Sequence, residues 1–192
     1  MLDIIFVIDA SASICVHFWH KQLKFFSQLV RQFPLGQRST RVGAMTYSVT
    51  ASKVFDLDDH SNADDMEKAL QKAKLGHGLS NSHMALERIL KHDMFGTKAG
   101  GRADAQDYVV FLTDGHSTQH EKTKEAVEKM KKAGTRFVFV GIGYDISYEL
   151  LETLTHRPGD IILLNSVKDN AWFPQKFLAS NLCTVSKKKK KS

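Results

Sequence analysis

Apolar residues fall along this chain in two rhythms. Residues 4–8, Ile-Ile-Phe-Val-Ile, are an unbroken apolar run of the kind a strand buried on both faces requires. Residues 108–113 repeat that pattern, and residues 137–142 and 161–164 read as further strands. Residues 41–47 and 52–57 predict two strands separated by Ser48-Val49-Thr50-Ala51, a gap short enough for a hairpin. Elsewhere the spacing turns helical. Residues 16–33 carry Phe18, Trp19, Leu23, Phe26, Leu29, Val30 and Phe33 near a 3.6-residue period, and Pro34 follows. A helix over residues 64–74 breaks at Gly76-His77-Gly78, and another runs through Met84, Leu86, Ile89 and Leu90. A charged helix over residues 121–133 closes at Gly134. Shorter helices follow at 148–154 and 171–182, while residues 97–105, with Gly100-Gly101, make a loop. Strands and helices alternating at this pitch predict an α/β fold. Its doubly wound, mostly parallel sheet has six strands, one of them an antiparallel edge strand, with helices on both faces.

Candidate chemistry sits where the apolar runs stop. The first strand ends in Asp9, Ser11 and Ser13, three oxygen-bearing side chains at alternate positions. The strand at 108–113 ends in Asp114-Gly115 by the same logic. Open α/β sheets build their sites at the carboxyl ends of such strands. Oxygen-only donors suit a hard divalent cation, and equally Asp and Ser are the preferred residues for capping the helix that follows. A second acidic stretch, residues 56–67, has donors at alternate positions and Glu67 at the twelfth. Its sixth position is Ser61 where a calcium loop needs glycine, and a strand precedes it, so it reads as a capped helix start.

Length and composition fit one soluble domain: 192 residues, 42% hydrophobic and 25% charged, with no apolar run long enough to span a membrane. The net charge of +6 owes five units to Lys187–Lys191, leaving about +1 on the body. That lysine run lacks interleaved aromatic residues for base stacking, so no specific nucleic-acid binding is expected. It reads as a solvated tail over residues 185–192, suited at most to loose contact with polyanions, after a domain over 1–184. Met1-Leu2-Asp3 passes straight into the first strand without a basic region or cleavage site, which suggests a domain taken from a larger protein. Enzyme motifs are missing. No glycine-rich turn follows the first strand, Gly141-Ile142-Gly143 is too short a match, and Ser11 stands where a phosphotransferase wants its second carboxylate.

Three separated motifs then resemble one family. Asp9-Ala10-Ser11-Ala12-Ser13-Ile14, Leu79-Ser80-Asn81-Ser82 and Phe111-Leu112-Thr113-Asp114-Gly115 are similar to the three loops of a von Willebrand factor type A domain, the Rossmann-like family that includes integrin I domains. The resemblance covers residues 2–183 with every element in family order. It implies a metal-ion-dependent adhesion site (MIDAS). Ser11 and Ser13 would bind the metal through their hydroxyls, Ser80 would take the place of the usual threonine, and Asp9 and Asp114 would act largely through bound waters. The metal implied is Mg²⁺, with Mn²⁺ or Ca²⁺ as alternatives. Hydroxyl ligands leave the cation's charge only partly neutralised, so it attracts a Glu or Asp carboxylate from a protein ligand such as collagen or another matrix protein. The expected role is extracellular adhesion by part of a larger, secreted protein, not catalysis; an intracellular scaffold domain is the rival.

Two departures from the family pattern stand out. Ala12 replaces a glycine, harmless only if φ there is negative, and Ser80 keeps the hydroxyl but loses a methyl that restricts its rotamer. His77, His83, His116 and His120, with His17 and His20 on the first helix, have no ligand spacing and read as exposed polar residues around a binding face. Phe18, Trp19 and Trp172 read as core. The family also implies a last helix (residues 171–182) that slides on ligand docking, with Phe177 among its contacts. Cys15 and Cys183 are expected as free thiols, Cys15 buried under the first helix and Cys183 exposed. The resemblance would pair Cys183 only with a cysteine upstream of Met1.

Overall fold

Strand β1 (Leu2–Asp9) is the middle of the molecule because nothing in it can face water: Ile4, Ile5, Phe6, Val7 and Ile8 are all fully buried. The structure, a computed structural model, describes residues 1–76, 78–143, 145–155 and 158–164. Around β1 are α1 (Val16–Val30), β2 (Thr40–Tyr47), β3 (Ala51–Phe55), α2 (Ala63–Gln71), α3 (Ser82–Lys91), β4 (Gln106–Thr113), α4 (His120–Lys132), β5 (Arg136–Gly141), α5 (Tyr148–Leu154) and β6 (Ile161–Leu163). The sheet runs β3-β2-β1-β4-β5-β6. Every neighbouring pair is parallel except β2 and β3, which form the expected hairpin and leave β3 as the antiparallel edge.

Side chains alternate across the pleat, so β1 feeds two cores. Ile4, Phe6 and Ile8 meet Phe18, Phe25, Phe26 and Leu29 of α1 and Met66 and Leu70 of α2. Ile5 and Val7 face the other layer, with Leu86 and Ile89 of α3, Val127 and Met130 of α4 and Leu151 of α5. Phe6 and Phe26 stand edge to face at 4.8 Å, and truncating a ring so placed costs about 3–5 kcal/mol. Phe18 and Trp19 are core residues, as the periodicity suggests.

Local signals explain most boundaries. Helix α1 stops at Val30, three residues before the last apolar position, because Gln32 and Phe33 close tighter turns back to Leu29 and Val30 ahead of Pro34. The acidic stretch before α2 is a capped helix start: the Asn62 side chain accepts from the Asp65 amide at 2.9 Å, with Asp64 and Asp65 in the first turn. Gly134 follows α4 at φ +99°, a left-handed closure. Residues 171–182, Trp172, Phe177, Cys183 and the lysine tail lie outside the described residues.

At the amino-terminal edge of the sheet, Asp3 is fully buried and its carboxylate is bound by Arg102. Its register partner across β1 and β4 is the half-buried Asp107. Burial, then repulsion from Asp3 and Asp93, pushes the Asp107 carboxyl up to about 6. A carboxyl whose folded pKa is raised holds its proton better in the folded state, so its contribution to stability falls as pH rises from about 4 to about 6. Asp107→Asn is expected to remove that slope: equal to wild type near pH 4, and about 1–2 kcal/mol more stable at pH 7 after allowance for solvent access. Urea denaturation at the two pH values checks this, and a variant less stable at pH 7 would contradict it.

Candidate metal centre

Three loops meet at the carboxyl end of the sheet, and Asp9 is where they join. It closes β1, and its backbone carbonyl accepts from Gln22 Nε2 of α1 at 2.8 Å. Its carboxylate is fully engaged. One oxygen accepts from the Ser11 amide at 2.8 Å, the usual way an Asp turns a chain out of a strand. The other accepts from the Tyr47 hydroxyl at 2.8 Å and from the Ser80 hydroxyl at 3.2 Å. Ser11 and Ser13 lie hydroxyl to hydroxyl at 2.9 Å. Asp114, nearly buried at the end of β4, accepts from the His116 amide at 2.9 Å. Gly115 turns the chain there at φ +88°, where any side chain would strike the Ser147 carbonyl.

The loops are also laced together by backbone. The Ala12 amide donates to Gly78, Gly76 to Ala10, Asn81 to Ser48 and Thr118 to Ser80, all within 2.7–3.0 Å. Asp93 is the one residue other than glycine with positive φ among the described residues, so Ala12 fits its loop without strain.

Burial dominates the electrostatics of this cluster. Burial is the main force pushing the Asp9 carboxyl up to about 6; hydrogen bonds from Ser11 oppose it and repulsion from Asp114 adds to it. The Tyr47 phenol, raised well above its ordinary range by burial and by Asp9, remains a donor. Asp9, Ser11, Ser13 and Ser80 are thus joined by direct hydrogen bonds, and Asp114 faces them through charge. Among the described residues no three His, Cys, Asp or Glu side chains converge on a cation-sized space. The donor set therefore depends on serine hydroxyls, and an all-oxygen set fits a hard divalent cation.

Two expectations are corrected here. Cys15 is exposed, not buried under α1. It is the residue that caps α1, in extended conformation at ψ 160°, and its neighbour Ile14 takes the inward place. In a Cys183→Ser background, Ellman's reagent is expected to modify Cys15 in the native protein without denaturant; protection from it would contradict this placement. His83 is also not an exposed rim residue: it is 6% exposed, burial lowers its pKa, and among the described residues its Nδ1 has no hydrogen-bond partner. His17, His20 and His116 are exposed as expected, and His77 lies outside the described residues.

Tyr47 and Gln22 were not legible as site residues. Tyr47 reads as the last apolar position of a strand, and only the pairing of β1 with β2, which sets it opposite Asp9, reveals its role. Gln22 is a large polar residue on the buried face of α1, fully buried, and that misfit was the available signal.

The chain is thus a doubly wound domain with a cluster of oxygen donors over the carboxyl ends of β1 and β4. The chain belongs to the von Willebrand factor type A domain family, whose profile matches residues 3–173. It is 26% identical over 171 residues to the transmembrane cell adhesion receptor mua-3 of Caenorhabditis elegans, covering 87% of this chain and 4% of that protein. It is 30% identical over 145 residues to integrin alpha-2 of Bos taurus, covering 74% of this chain and 12% of that one. Proximal thread matrix protein 1 from the mussel byssus, solved with a zinc-occupied MIDAS motif, shares the fold with a TM-score of 0.78 at 22% identity, covering 92% of this chain and 46% of that one. The chain thus spans only a small part of the relatives it matches.

Proposed function

We propose that this domain is an extracellular adhesion module. Asp9, Ser11, Ser13, Ser80 and Asp114 hold a divalent cation, Mg²⁺ with Mn²⁺ or Ca²⁺ as substitutes, and through it the domain binds an acidic side chain of a protein ligand. The observation that carries this reading is the join at Asp9: one buried carboxylate bonded to both the Ser11 and Ser80 loops, with Asp114 repelling it from the third. Such an arrangement is costly without a cation and favourable with one. When bound, the cation supplies a positive charge with an open position for a carboxylate. The three serines bring hydroxyls and no charge, which leaves that attraction largely unspent. No hydroxyl of the set is bonded to a histidine base among the described residues, which favours binding over nucleophilic catalysis. The relatives named as a cell adhesion receptor and as a matrix protein with a metal-filled site support a role outside the cell; the partner we propose is collagen or another matrix protein.

A pull-down from solubilised extracellular matrix tests the reading. With Mg²⁺ in millimolar excess the immobilised domain is expected to retain a matrix protein, and with EDTA to release it. Retention unchanged by chelator, or retention by an Asp114→Ala domain equal to wild type, would overturn it.

A further inference from the structure

Beside the candidate ligands lies a second group of hydroxyls. Ser82 opens α3, Thr123 lies in the first turns of α4, and Ser117 sits in the loop between Asp114 and α4. Their oxygens form a triangle: Ser82 to Ser117 at 2.7 Å, Ser82 to Thr123 at 2.7 Å and Ser117 to Thr123 at 3.2 Å. Ser82 and Thr123 are 2% and 1% exposed, so these bonds are made away from water. Buried hydroxyls of this kind are expensive unless every proton is placed.

The cluster reaches onward to the Ser80 loop. Ser82 donates to Ser117, and Ser117 donates onward to the backbone carbonyl of Ser80 at 3.4 Å. The Thr123 proton goes to Ser82 or to the Gln119 carbonyl at 3.2 Å. The chain of donors therefore ends on Ser80, whose own hydroxyl reaches Asp9. The Ser80 carbonyl accepts a second bond, from the Thr118 amide at 2.9 Å. Both of its bonds come from the loop that carries Asp114.

We propose that Ser82, Ser117 and Thr123 are positioning residues for the cation site. They fix the separation of the Ser80 loop from the Asp114 loop and tie that separation to helix α4. None of the three touches the cation; they act through Ser80. The tie is needed because Ser80 itself lacks the methyl that would lock its rotamer, so its hydroxyl is aimed by its backbone. Hydrogen bonds one step removed from metal ligands carry effects of about 10- to 100-fold on metal affinity. This proposal rests on the cation reading above.

Calorimetric titration of the purified domain with MnCl₂, paired with urea denaturation in EDTA, tests it. Thr123→Val keeps the shape and removes the hydroxyl. It is expected to weaken Mn²⁺ binding about tenfold, with a urea midpoint in EDTA close to wild type. Thr123→Ser is expected to restore the affinity. A merely structural role would lower the EDTA midpoint and leave Mn²⁺ affinity unchanged. Ser117→Ala, at a partly exposed position, provides a second route should the valine variant fold poorly, and the same loss of affinity is expected. Wild-type affinity in both variants, or a loss that serine does not rescue, overturns the positioning role. A wild-type domain that takes up no Mn²⁺ overturns the cation reading itself, and the positioning role with it.

Discussion

Arg102→Met is expected to cost the domain about 3–5 kcal/mol, the largest loss that a single change to a charged side chain brings here. Arg102 precedes β4 and closes the end of the sheet opposite the Asp9 cluster. Its amide and its Nε and Nη2 groups hold both oxygens of Asp3 at 2.6–3.0 Å. The same guanidinium also donates to the backbone carbonyls of Leu2, Gln37 and Ser39. A planar fork with five donors can satisfy this set, and no other side chain can. Methionine fills the volume but leaves a fully buried carboxylate with only a backbone partner, and leaves three carbonyls of two neighbouring segments without this donor. Urea denaturation reads the loss. Adding Asp3→Asn to Arg102→Met is expected to recover part of it, because a neutral amide is cheaper to bury than a charge. A single variant within 1 kcal/mol of wild type (a typical surface change) would show that Arg102 is dispensable.

Asp9→Asn is expected to have the opposite pattern: a site lost in a fold that is no weaker. The ionised Asp9 carboxylate is unfavourable in its surroundings, since burial and Asp114 push its pKa up to about 6. At pH 7.5 the neutral amide removes that cost. Its oxygen can still accept from the Ser11 amide, and its NH₂ can donate to the hydroxyl of Tyr47 or Ser80. Mn²⁺ affinity is expected to fall more than about 100-fold, beyond the range for groups that only support a ligand. The urea midpoint in EDTA is expected to stay level or rise, as it does when a strained functional group is replaced. An Asn variant with wild-type Mn²⁺ affinity would remove Asp9 from the site. A variant that loses affinity only because it unfolds would show the carboxylate to be structural.

Much of the fold was legible because local rules and tertiary demands agree in this chain. The runs at residues 4–8 and 108–113 can only be central strands. The turn at Ser48 is too short to do anything but reverse the chain, so the edge strand had to be antiparallel. Asp9, Ser11, Ser13 and Asp114 stood out for a different reason: they are polar residues placed just after apolar strands, where open sheets build their sites; Ser80, in the loop before α3, was singled out only by the resemblance of Leu79-Ser80-Asn81-Ser82 to a family loop. The misreadings fall where one residue of slip changes the answer. Cys15 and Ile14 are adjacent and both apolar enough for the core. Which one turned inward depended on where α1 began, and the capping residue points outward. His83 was grouped with the other loop histidines because a short helix start carries no periodicity to say which side is buried.

The amino-acid sequence by itself determined the order of strands and helices, the strand ends that bear oxygen donors, and the all-oxygen chemistry of Asp9, Ser11 and Ser13. These are matters of period and residue type, which are properties of neighbours in the chain. The tertiary structure alone decided what holds the donors in place. Tyr47 reaches Asp9 across 38 positions, Ser80 reaches it across 71, and Arg102 reaches Asp3 across 99. Each bond depends on the register of parallel strands joined through helices, and a hydroxyl or guanidinium can be paired only after that register is set. Side-chain type was written locally; the partner of each buried polar atom was fixed only when the sheet closed around it.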